Sequence, residues 1–153
     1  MTVTEIVQSN LIKFDLKADN KEEVIDQLAD LYVKNGVITN KDNYISAVYG
    51  REQEGTTGVG EGIAIPHGKS KSVTRSAVVI AKLLDPVAWE SLDNHPVKYV
   101  FLLAIPDGGD TEHLKLLSEL AGILMNDNVR FELQQAKSAG DIQAIFKDRG
   151  NEL

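Results

Sequence analysis

The amino-acid sequence predicts an α/β fold, a single-domain sandwich in which a central mixed β-sheet is flanked by helices on both faces. Residues 76–84 and 97–105 are almost continuously apolar, which is typical of strands covered on both sides. Amphipathic helical patterns precede and follow these strands, and elements in this arrangement form a sheet with helices packed on it. The chain has 153 residues and shows no linker, so we expect one domain over residues 1–153. Strand order does not follow from the sequence.

The first elements are expected to be a short strand over residues 11–16 and a helix over residues 20–35. Asn20 lies three residues before Glu23, which is a variant of the capping box at a helix start. Gly36 stands where a helix-terminating glycine is typical. Apolar residues recur between these signals at helical spacing, so the first helix is expected to pack one face against the sheet.

A second helix is expected over residues 40–54, with Asn40 as its capping residue. Residues 63–66 are expected to be extended, because the residue before a proline is disfavoured in the helical region. Asp85 and Pro86 are expected to open a loop between the two long strands. The inward-facing residues of the second helix are expected to be Tyr44, Ile45, Val48 and Tyr49.

The last third of the chain is expected to form three helices, over residues 110–125, 127–137 and 140–147. Asp110 or Thr111 can cap the first of them. Its expected buried residues are Leu114, Leu117, Leu120, Ala121 and Leu124. The apolar residues of the other two helices are Val129, Phe131 and Leu133, and then Ile142, Ile145 and Phe146.

Composition and charge exclude several classes of function. Sixteen basic residues against 23 acidic ones give a net charge of −7, which argues against binding nucleic acid or anionic lipid. The chain has no cysteine, so disulfides, thiolate catalysis and cysteine-based metal sites are excluded. No apolar run approaches the roughly 20 residues of a membrane span, and the N-terminus lacks the pattern of a signal peptide. We therefore expect a cytoplasmic protein without direct membrane insertion.

The candidate chemistry lies in a glycine-rich segment that begins at residue 55. Four glycines within residues 55–62 allow the backbone to approach an anion closely, with its N–H groups pointing at it. The spacing matches neither the P-loop nor the dinucleotide-binding fingerprint. A flexible loop without chemical role is the alternative. The glycines expected to bind a phosphoryl group are Gly58, Gly60, Gly62 and Gly68.

His67 follows this segment and lies between Pro66 and Gly68. The proline stiffens the chain before the histidine, and the glycine leaves space beside the imidazole. A histidine with a reference pKa of about 6.5 is mostly neutral at pH 7, so it can attack a phosphoryl donor and form a phosphoramidate. The alternative is a histidine that hydrogen bonds merely fix in a turn.

Two further residues are candidates for the same site. His113 is expected in the first turn of the helix that Asp110 caps, where the helix dipole favours bound anions and a neutral imidazole. It can therefore orient His67 or steady phosphoryl oxygens, unless it is an ordinary surface histidine. Arg51 ends the second helix and can bind a phosphoryl group in a bidentate manner, unless it only offsets the helix dipole. His95 lies in a turn and is expected to have no chemical role.

The chain resembles the enzyme IIA components of the fructose–mannitol type, which belong to the phosphoenolpyruvate-dependent sugar phosphotransferase system. The resemblance covers about residues 5–148. The Lys69-Ser70-Lys71 run and residues 89–92 look more like fructose-type than mannitol-type members. The matching motifs are Arg51-Glu52, Gly58-Val59-Gly60-Glu61-Gly62-Ile63-Ala64-Ile65-Pro66-His67-Gly68-Lys69, Val87-Ala88-Trp89-Glu90-Ser91-Leu92-Asp93, Leu103-Ala104-Ile105-Pro106 and His113-Leu114.

This resemblance implies an α/β sandwich that carries a phosphohistidine. His67 would accept a phosphoryl group from the phosphocarrier HPr and pass it to an enzyme IIB domain, whose membrane partner IIC couples transfer to sugar uptake, and the expected sugar is fructose. In the same way it implies that His113 supports His67 and that Arg51 lies at the active centre. No metal or organic cofactor is implied. Because no IIB, IIC or HPr-like region is attached, the partners are expected to be separate polypeptides.

Two other functions stay open at this point. One is a regulatory IIA-like protein of the nitrogen-related branch, phosphorylated on the same His67 but acting by binding target proteins. The other is a metal-dependent hydrolase that uses His67, His113 and a carboxylate, which ranks lower because the sequence has no closely spaced ligand pair such as His-x-x-x-His. For a phosphoryl carrier, the acidic surface is expected to complement a basic patch on the donor.

Overall fold

The computed structural model describes residues 2–108 and 110–150, with the side chains of residues 2–108 and 114–147. Within these residues the chain forms six strands and six α-helices, besides a 3-10 turn at Ser9–Leu11. The strands are β1 (Ile12–Leu16), β2 (Gly58–Gly60), β3 (Ile63–Ala64), β4 (His67–Ser70), β5 (Ala77–Val87) and β6 (Val97–Pro106). The helices are α1 (Val3–Ile6), α2 (Lys21–Lys34), α3 (Lys41–Gln53), α4 (Asp110–Leu124), α5 (Asp127–Gln135) and α6 (Ala139–Gly150).

The strands form one mixed sheet in the order β1-β5-β6-β3-β2, with β4 also paired to β6. The β1–β5 pair is parallel, whereas β5 and β6 are antiparallel neighbours. Both β3 and β4 run parallel to β6, and β2 folds back antiparallel to β3. This confirms the predicted α/β sandwich with a central mixed sheet.

The strand beside β6 is interrupted, and the interruption positions the candidate site. Its first part, β3, pairs with Tyr99 and Val100, and its second part, β4, begins where His67 pairs with Leu103. Pro66 lies between the two parts and has no N–H to give to a ladder, but its carbonyl accepts the N–H of Leu103 at 3.0 Å. His67 is therefore the first residue after a break in the strand that pairs with β6.

Each face of the sheet carries its own apolar core. One core joins the sheet to α2 and α3, and the other joins it to α1, α4, α5 and α6. Neighbouring residues of β6 alternate between the two, so that Leu102 packs into the first core and Leu103 into the second. This alternation explains the unbroken apolar run at residues 97–105 and confirms that the strand is covered on both faces.

The capping residues predicted for α2 and α3 are confirmed. The side-chain oxygen of Asn20 accepts the N–H of Glu23 at 2.9 Å, and that of Asn40 accepts the N–H of Asn43 at 3.0 Å. The Glu23 carboxylate accepts the N–H of Asp19 at 2.6 Å, one residue before the position that a standard capping box uses. Both helices begin within one residue of the expected positions.

The prediction of a loop at Asp85 and Pro86 was wrong, because β5 continues through both residues to Val87. The β5–β6 register shifts between Lys82 and Val87, and such an irregularity accommodates a proline without breaking the strand pair. The ladder resumes where Val87 pairs with Val97.

The buried stripe of α4 also differs from the prediction. Leu114 was expected inside but is 61% exposed, and Leu117 and Ala121 are only half-buried against the core. Among the side chains of α4 that the structure describes, the buried ones are Leu116, Leu120, Ile123 and Leu124. In α5, Phe131 is likewise 61% exposed, and the helix ends at Gln135, two residues before the expected end, because Ala136 is extended.

Candidate active site

His67 is half-buried at the start of β4, with its ring held by the chain just before it. Its Nδ1 lies 3.0 Å from the carbonyl oxygen of Ile65. Because a carbonyl oxygen only accepts hydrogen bonds, Nδ1 is the nitrogen that carries the hydrogen, and in the neutral ring the lone pair lies on Nε2. The backbone therefore selects the tautomer in which Nε2 is the nucleophilic atom.

Helix α3 packs directly behind His67, against the next residue of the strand. A Cβ at Gly68 would lie 2.8 Å from Cγ2 of Val48 and 3.0 Å from Cε1 of Tyr44, so this contact requires glycine. At the far end of β4, the Ser70 hydroxyl hydrogen-bonds the side chain of Asn43. Residues early in α3 thus face the end of β4 and later ones face its beginning, which makes the helix antiparallel to the strand.

Arg51 lies one turn beyond Val48, so the direction of α3 places it toward the His67 end of β4. Its Nη1 donates a 2.8 Å hydrogen bond to the carbonyl oxygen of Gly55. In this structure the guanidinium thus fastens the chain that leaves α3, a role that the sequence did not suggest. Its contact with a phosphoryl group stays a prediction.

The glycine-rich segment, which was expected to be a loop, forms a β2–β3 hairpin. The turn is tight, with positive φ at Gly60 (99°), Glu61 (58°) and Gly62 (75°). The carbonyl of Gly62 accepts the N–H groups of Lys98 and Tyr99 at 2.8 and 2.9 Å, which fastens the turn to the start of β6. The segment is therefore structured by pairing within the sheet.

The glycines of this hairpin make room for neighbouring side chains of the protein. A Cβ at Gly58 would lie 2.5 Å from the Ser91 hydroxyl oxygen, and one at Gly60 would lie 3.3 Å from Oδ2 of Asp93. The N–H of Gly58 already donates to the Thr56 hydroxyl at 3.1 Å. Tight packing against residues 91–93 thus explains these two glycines, and the binding of a phosphoryl group by Gly58, Gly60, Gly62 and Gly68 stays a prediction.

Asp93 fastens the tip of the hairpin. Its Oδ2 accepts the N–H of Glu61 at 2.9 Å, and its Oδ1 accepts the N–H of His95 at 3.1 Å. These hydrogen bonds, first that from Glu61 and then that from His95, lower the pKa of the Asp93 carboxyl below its ordinary value. His95 therefore contributes a backbone N–H, which helps to hold Asp93 at the tip of the hairpin.

A buried polar cluster, formed by Lys21, Glu52, Thr57 and Trp89, lies behind the hairpin. The Thr57 hydroxyl donates to Oε1 of Glu52 and accepts the indole N–H of Trp89 at 3.1 Å. The ammonium of Lys21 lies 2.8 Å from Oε2 of Glu52 and 5.4 Å from the centre of the Trp89 ring. Sequence patterns did not predict this cluster. One feature of the sequence could have indicated it. Tyr44, Val48 and Glu52 are spaced four residues apart, so the acidic Glu52 lies on the same stripe of α3 as two buried residues.

His113 belongs to the first turn of α4, as expected, but its side chain lies outside the described residues. Its predicted support for His67 stays a prediction. Among the described side chains, no group of three or more histidine, aspartate or glutamate residues is arranged to hold a metal ion. The helices in the described part of the chain include none long and apolar enough to cross a membrane.

The fold is shared with solved structures of IIA proteins. The nitrogen regulatory protein IIA-Ntr from Neisseria meningitidis superposes with a TM-score of 0.86 at 29% identity, over 94% of this chain and 97% of that one. Enzyme IIAMtl in the complex of enzyme IIAMtl and phosphorylated enzyme IIBMtl from Escherichia coli has the same fold, with a TM-score of 0.78, 24% identity and coverage of 92% and 96%.

Residues 5–149 match the family model described as "Phosphoenolpyruvate-dependent sugar phosphotransferase system, EIIA 2". The chain therefore belongs to the EIIA-2 family of the phosphotransferase system. It is 34% identical to the fructose-specific EIIA component of Haloferax volcanii over 95% of each chain. It is 38% identical to the fructose-specific EIIABC component of Bacillus subtilis over 95% of its own length but only 23% of that protein's length.

Proposed function

We propose that this chain is a phosphohistidine carrier in which Nε2 of His67 accepts a phosphoryl group from phospho-HPr and passes it to an enzyme IIB domain. The hydrogen bond between Nδ1 of His67 and the Ile65 carbonyl carries this proposal, because it directs the ring lone pair to Nε2. Membership of the EIIA-2 family supports a role in phosphoryl transfer. Residues 1–153 act in this proposal as a single enzyme IIA domain in the cytoplasm.

The transfer is an in-line displacement between two histidines. Nε2 of His67 attacks phosphorus while the nitrogen–phosphorus bond of the donor breaks and the electron pair returns to the donor ring. His67 keeps its hydrogen on Nδ1 throughout, so no base is needed to deprotonate it. The Ile65 carbonyl stabilises the positive charge that develops on the ring, and this step requires no metal or organic cofactor.

Arg51 and His113 are proposed to stabilise the transferred group. The position of Arg51 toward the His67 end of β4 supports a contact between its guanidinium and the phosphoryl oxygens. The helix start at His113 favours an anion close by. The hairpin glycines Gly58, Gly60 and Gly62 and the strand residue Gly68 would contribute backbone N–H groups where these are not already used within the sheet.

Fructose uptake is the proposed pathway, with IIB and IIC components as partners. The support is the 34% identity to a fructose-specific EIIA component over 95% of both chains, and the complex with phosphorylated IIB that a protein of the same fold forms. The second candidate is a regulatory carrier that binds target proteins, and the likeness to the Neisseria nitrogen regulatory protein favours it. Both functions use the same His67.

Intact-mass analysis after incubation with phosphoenolpyruvate, enzyme I and HPr tests the carrier function. Wild-type protein and a His95→Ala control are expected to gain one acid-labile phosphate, and His67→Ala none. A phosphate on His67→Ala, or none on folded wild-type protein with HPr or a nitrogen-type donor, would overturn the proposal. Transfer onward to a fructose-type IIB domain distinguishes transport, whereas a phosphoprotein that donates to none of the IIB domains supports regulation.

A further inference from the structure

The buried polar cluster of Lys21, Glu52, Thr57 and Trp89 has a contact with His67 that runs through the backbone. The carbonyl of Thr57 accepts the N–H of Ile65 at 3.0 Å, and the carbonyl of the same Ile65 accepts the hydrogen on Nδ1 of His67. Two hydrogen bonds and one residue therefore separate Thr57 from the imidazole.

Ile65 is held from three sides. Its N–H is bonded to Thr57, its side chain is buried in the core that contains α4, and the ring of Pro66 restricts the peptide that follows it. The Ile65 carbonyl is therefore held in a single orientation, in which its oxygen points at Nδ1 of His67. This orientation selects the tautomer with the hydrogen on Nδ1. The position of Thr57 thus determines how well the imidazole is oriented.

Glu52 in turn determines the position of Thr57. The carboxylate is only 6% exposed, and it accepts the Thr57 hydroxyl on Oε1. Its Oε2 meets the Lys21 ammonium at 2.8 Å as an ion pair outside hydrogen-bond geometry, while the ammonium also lies over the Trp89 ring. The hydroxyl of Thr57 is thereby fixed between two partners, Glu52 and the indole N–H of Trp89.

Stability alone is a weak reason for such a cluster. Replacing a buried ion pair by apolar side chains of similar volume is often neutral or stabilising, because removing charges from water is unfavourable. Glu52 nonetheless lies on the same stripe of α3 as Tyr44 and Val48, where an apolar residue would pack. A carboxylate at this position gives directed hydrogen bonding to Thr57, which an apolar side chain does not provide.

We infer that Glu52 is a positioning residue for His67, acting through Thr57 and the Ile65 carbonyl to hold the Nδ1–H tautomer. The inference rests on the proposed function of His67 as the phosphoryl acceptor. Lys21 orients the carboxylate through their ion pair, and Trp89 fixes the other side of the Thr57 hydroxyl. Neither residue touches the reacting atoms.

The test measures the tautomer and the reaction separately. Nitrogen-15 NMR of the His67 ring gives the fraction of Nδ1–H tautomer without any phosphoryl transfer, and the rate of phosphate uptake from phospho-HPr gives the reaction. Thr57→Val removes the hydroxyl at nearly constant volume, Glu52→Gln removes the charge, and Thr57→Ser keeps the hydroxyl as the conservative variant. Glu54→Gln is the matched control, because this carboxylate lies two residues along the chain and is exposed.

Thr57→Val and Glu52→Gln are expected to lose the preference for Nδ1–H and to react roughly 10- to 100-fold more slowly, which is typical when a supporting hydrogen bond is removed. Thr57→Ser and Glu54→Gln are expected to resemble the wild type. If one of these variants fails to fold, Trp89→Phe offers a second test, because it removes the indole N–H that Thr57 accepts, together with part of the ring volume. It is expected to shift the tautomer in the same direction.

Folded Thr57→Val and Glu52→Gln proteins with the wild-type tautomer fraction would overturn the inference, whatever their rates. A wild-type protein that accepts no phosphate at all would instead overturn the proposed function, and the tautomer comparison would still decide whether Glu52 positions the ring.

Discussion

The hydroxyl of Tyr44 donates a 2.6 Å hydrogen bond to the carbonyl oxygen of Leu103, the residue of β6 that pairs with His67. Helix α3 is therefore hydrogen-bonded into the sheet directly behind the candidate nucleophile. Tyr44→Phe removes this bond without changing the shape of the ring. We expect the free energy of unfolding to fall by about 1 kcal/mol, the net contribution of one neutral hydrogen bond.

Urea unfolding checks this prediction, with Tyr49→Phe as the control. Tyr49 lies on the same helix but is only half-buried, so its change is expected to stay within about 0.5 kcal/mol. Equal effects of the two substitutions would contradict the role of the Leu103 contact.

Stability is expected to fall in alkaline solution because of Tyr32 and Tyr44. Burial raises the pKa of both phenols well above the ordinary value of 10.0. In the unfolded chain they lose their protons above about pH 10, whereas in the folded protein they keep them. The unfolded state then binds fewer protons, so the stabilising contribution is complete below about pH 10 and is lost as the pH rises further.

Urea unfolding of wild type and Tyr44→Phe between pH 8 and pH 11 measures this dependence, on the scale set by the ordinary tyrosine pKa of about 10. The variant is expected to have the shallower decline, because one of the two buried phenols is gone. The same decline in both proteins would exclude Tyr44 as a cause.

Gly68→Ala is expected to destabilise the protein by about 1–3 kcal/mol, as overpacking of a filled core does. The added methyl would lie 2.8 Å from Val48 Cγ2, so α3 has to move away from β4. Gly50→Ala is the matched control, since a Cβ at that position in the same helix meets nothing within 4 Å. That change is expected to stabilise the protein by about 0.5–1 kcal/mol.

Chemical unfolding of the two variants tests this contrast, and the rate of phosphate uptake by Gly68→Ala tests whether the displaced helix affects His67. A stable, fully active Gly68→Ala protein would contradict the close contact between α3 and β4.

The Asp93 carboxylate is expected to hold the hairpin tip until strongly acidic pH. Its pKa is lowered by the N–H groups of Glu61 and His95, so its contribution is present above the ordinary value of 3.8 and is lost as the pH falls through the lower folded value. NMR titration of the Glu61 and His95 amide signals measures this, with an inflection expected below 3.8. Asp93→Asn is expected to abolish this inflection. A midpoint above pH 3.8 in the wild type would contradict the hydrogen bonds from Glu61 and His95 to the Asp93 carboxylate.

Local signals in the sequence predict much of this fold. Asn20 and Asn40 start their helices as expected because a side-chain cap depends on neighbouring residues alone. Other features depend on distant partners and do not follow from local patterns. The continuation of β5 through Pro86 needs the register shift against β6, and the exposure of Leu114 depends on how α4 is rotated over the sheet.

At the candidate site, too, some features follow from the local sequence and others depend on distant residues. Pro66 and His67 are prominent in the sequence, and the structure has His67 half-buried at the start of β4. The glycines suggested an anion-binding loop, but the packing at Gly58 is against Ser91, 33 residues away in the chain. The position of Glu52 on a buried stripe can be read from the sequence, but its ion pair cannot, because its partner Lys21 comes from a distant segment of the chain.

The break in the strand beside β6 has a kinetic consequence if His67 is the carrier. A histidine fixed at the start of β4 does not move between two binding sites, so donor and acceptor must each approach the same imidazole. They then cannot occupy the protein together, and turnover alternates between two half-reactions. Such alternation gives ping-pong kinetics, in which an excess of either partner in its unreactive form inhibits the other.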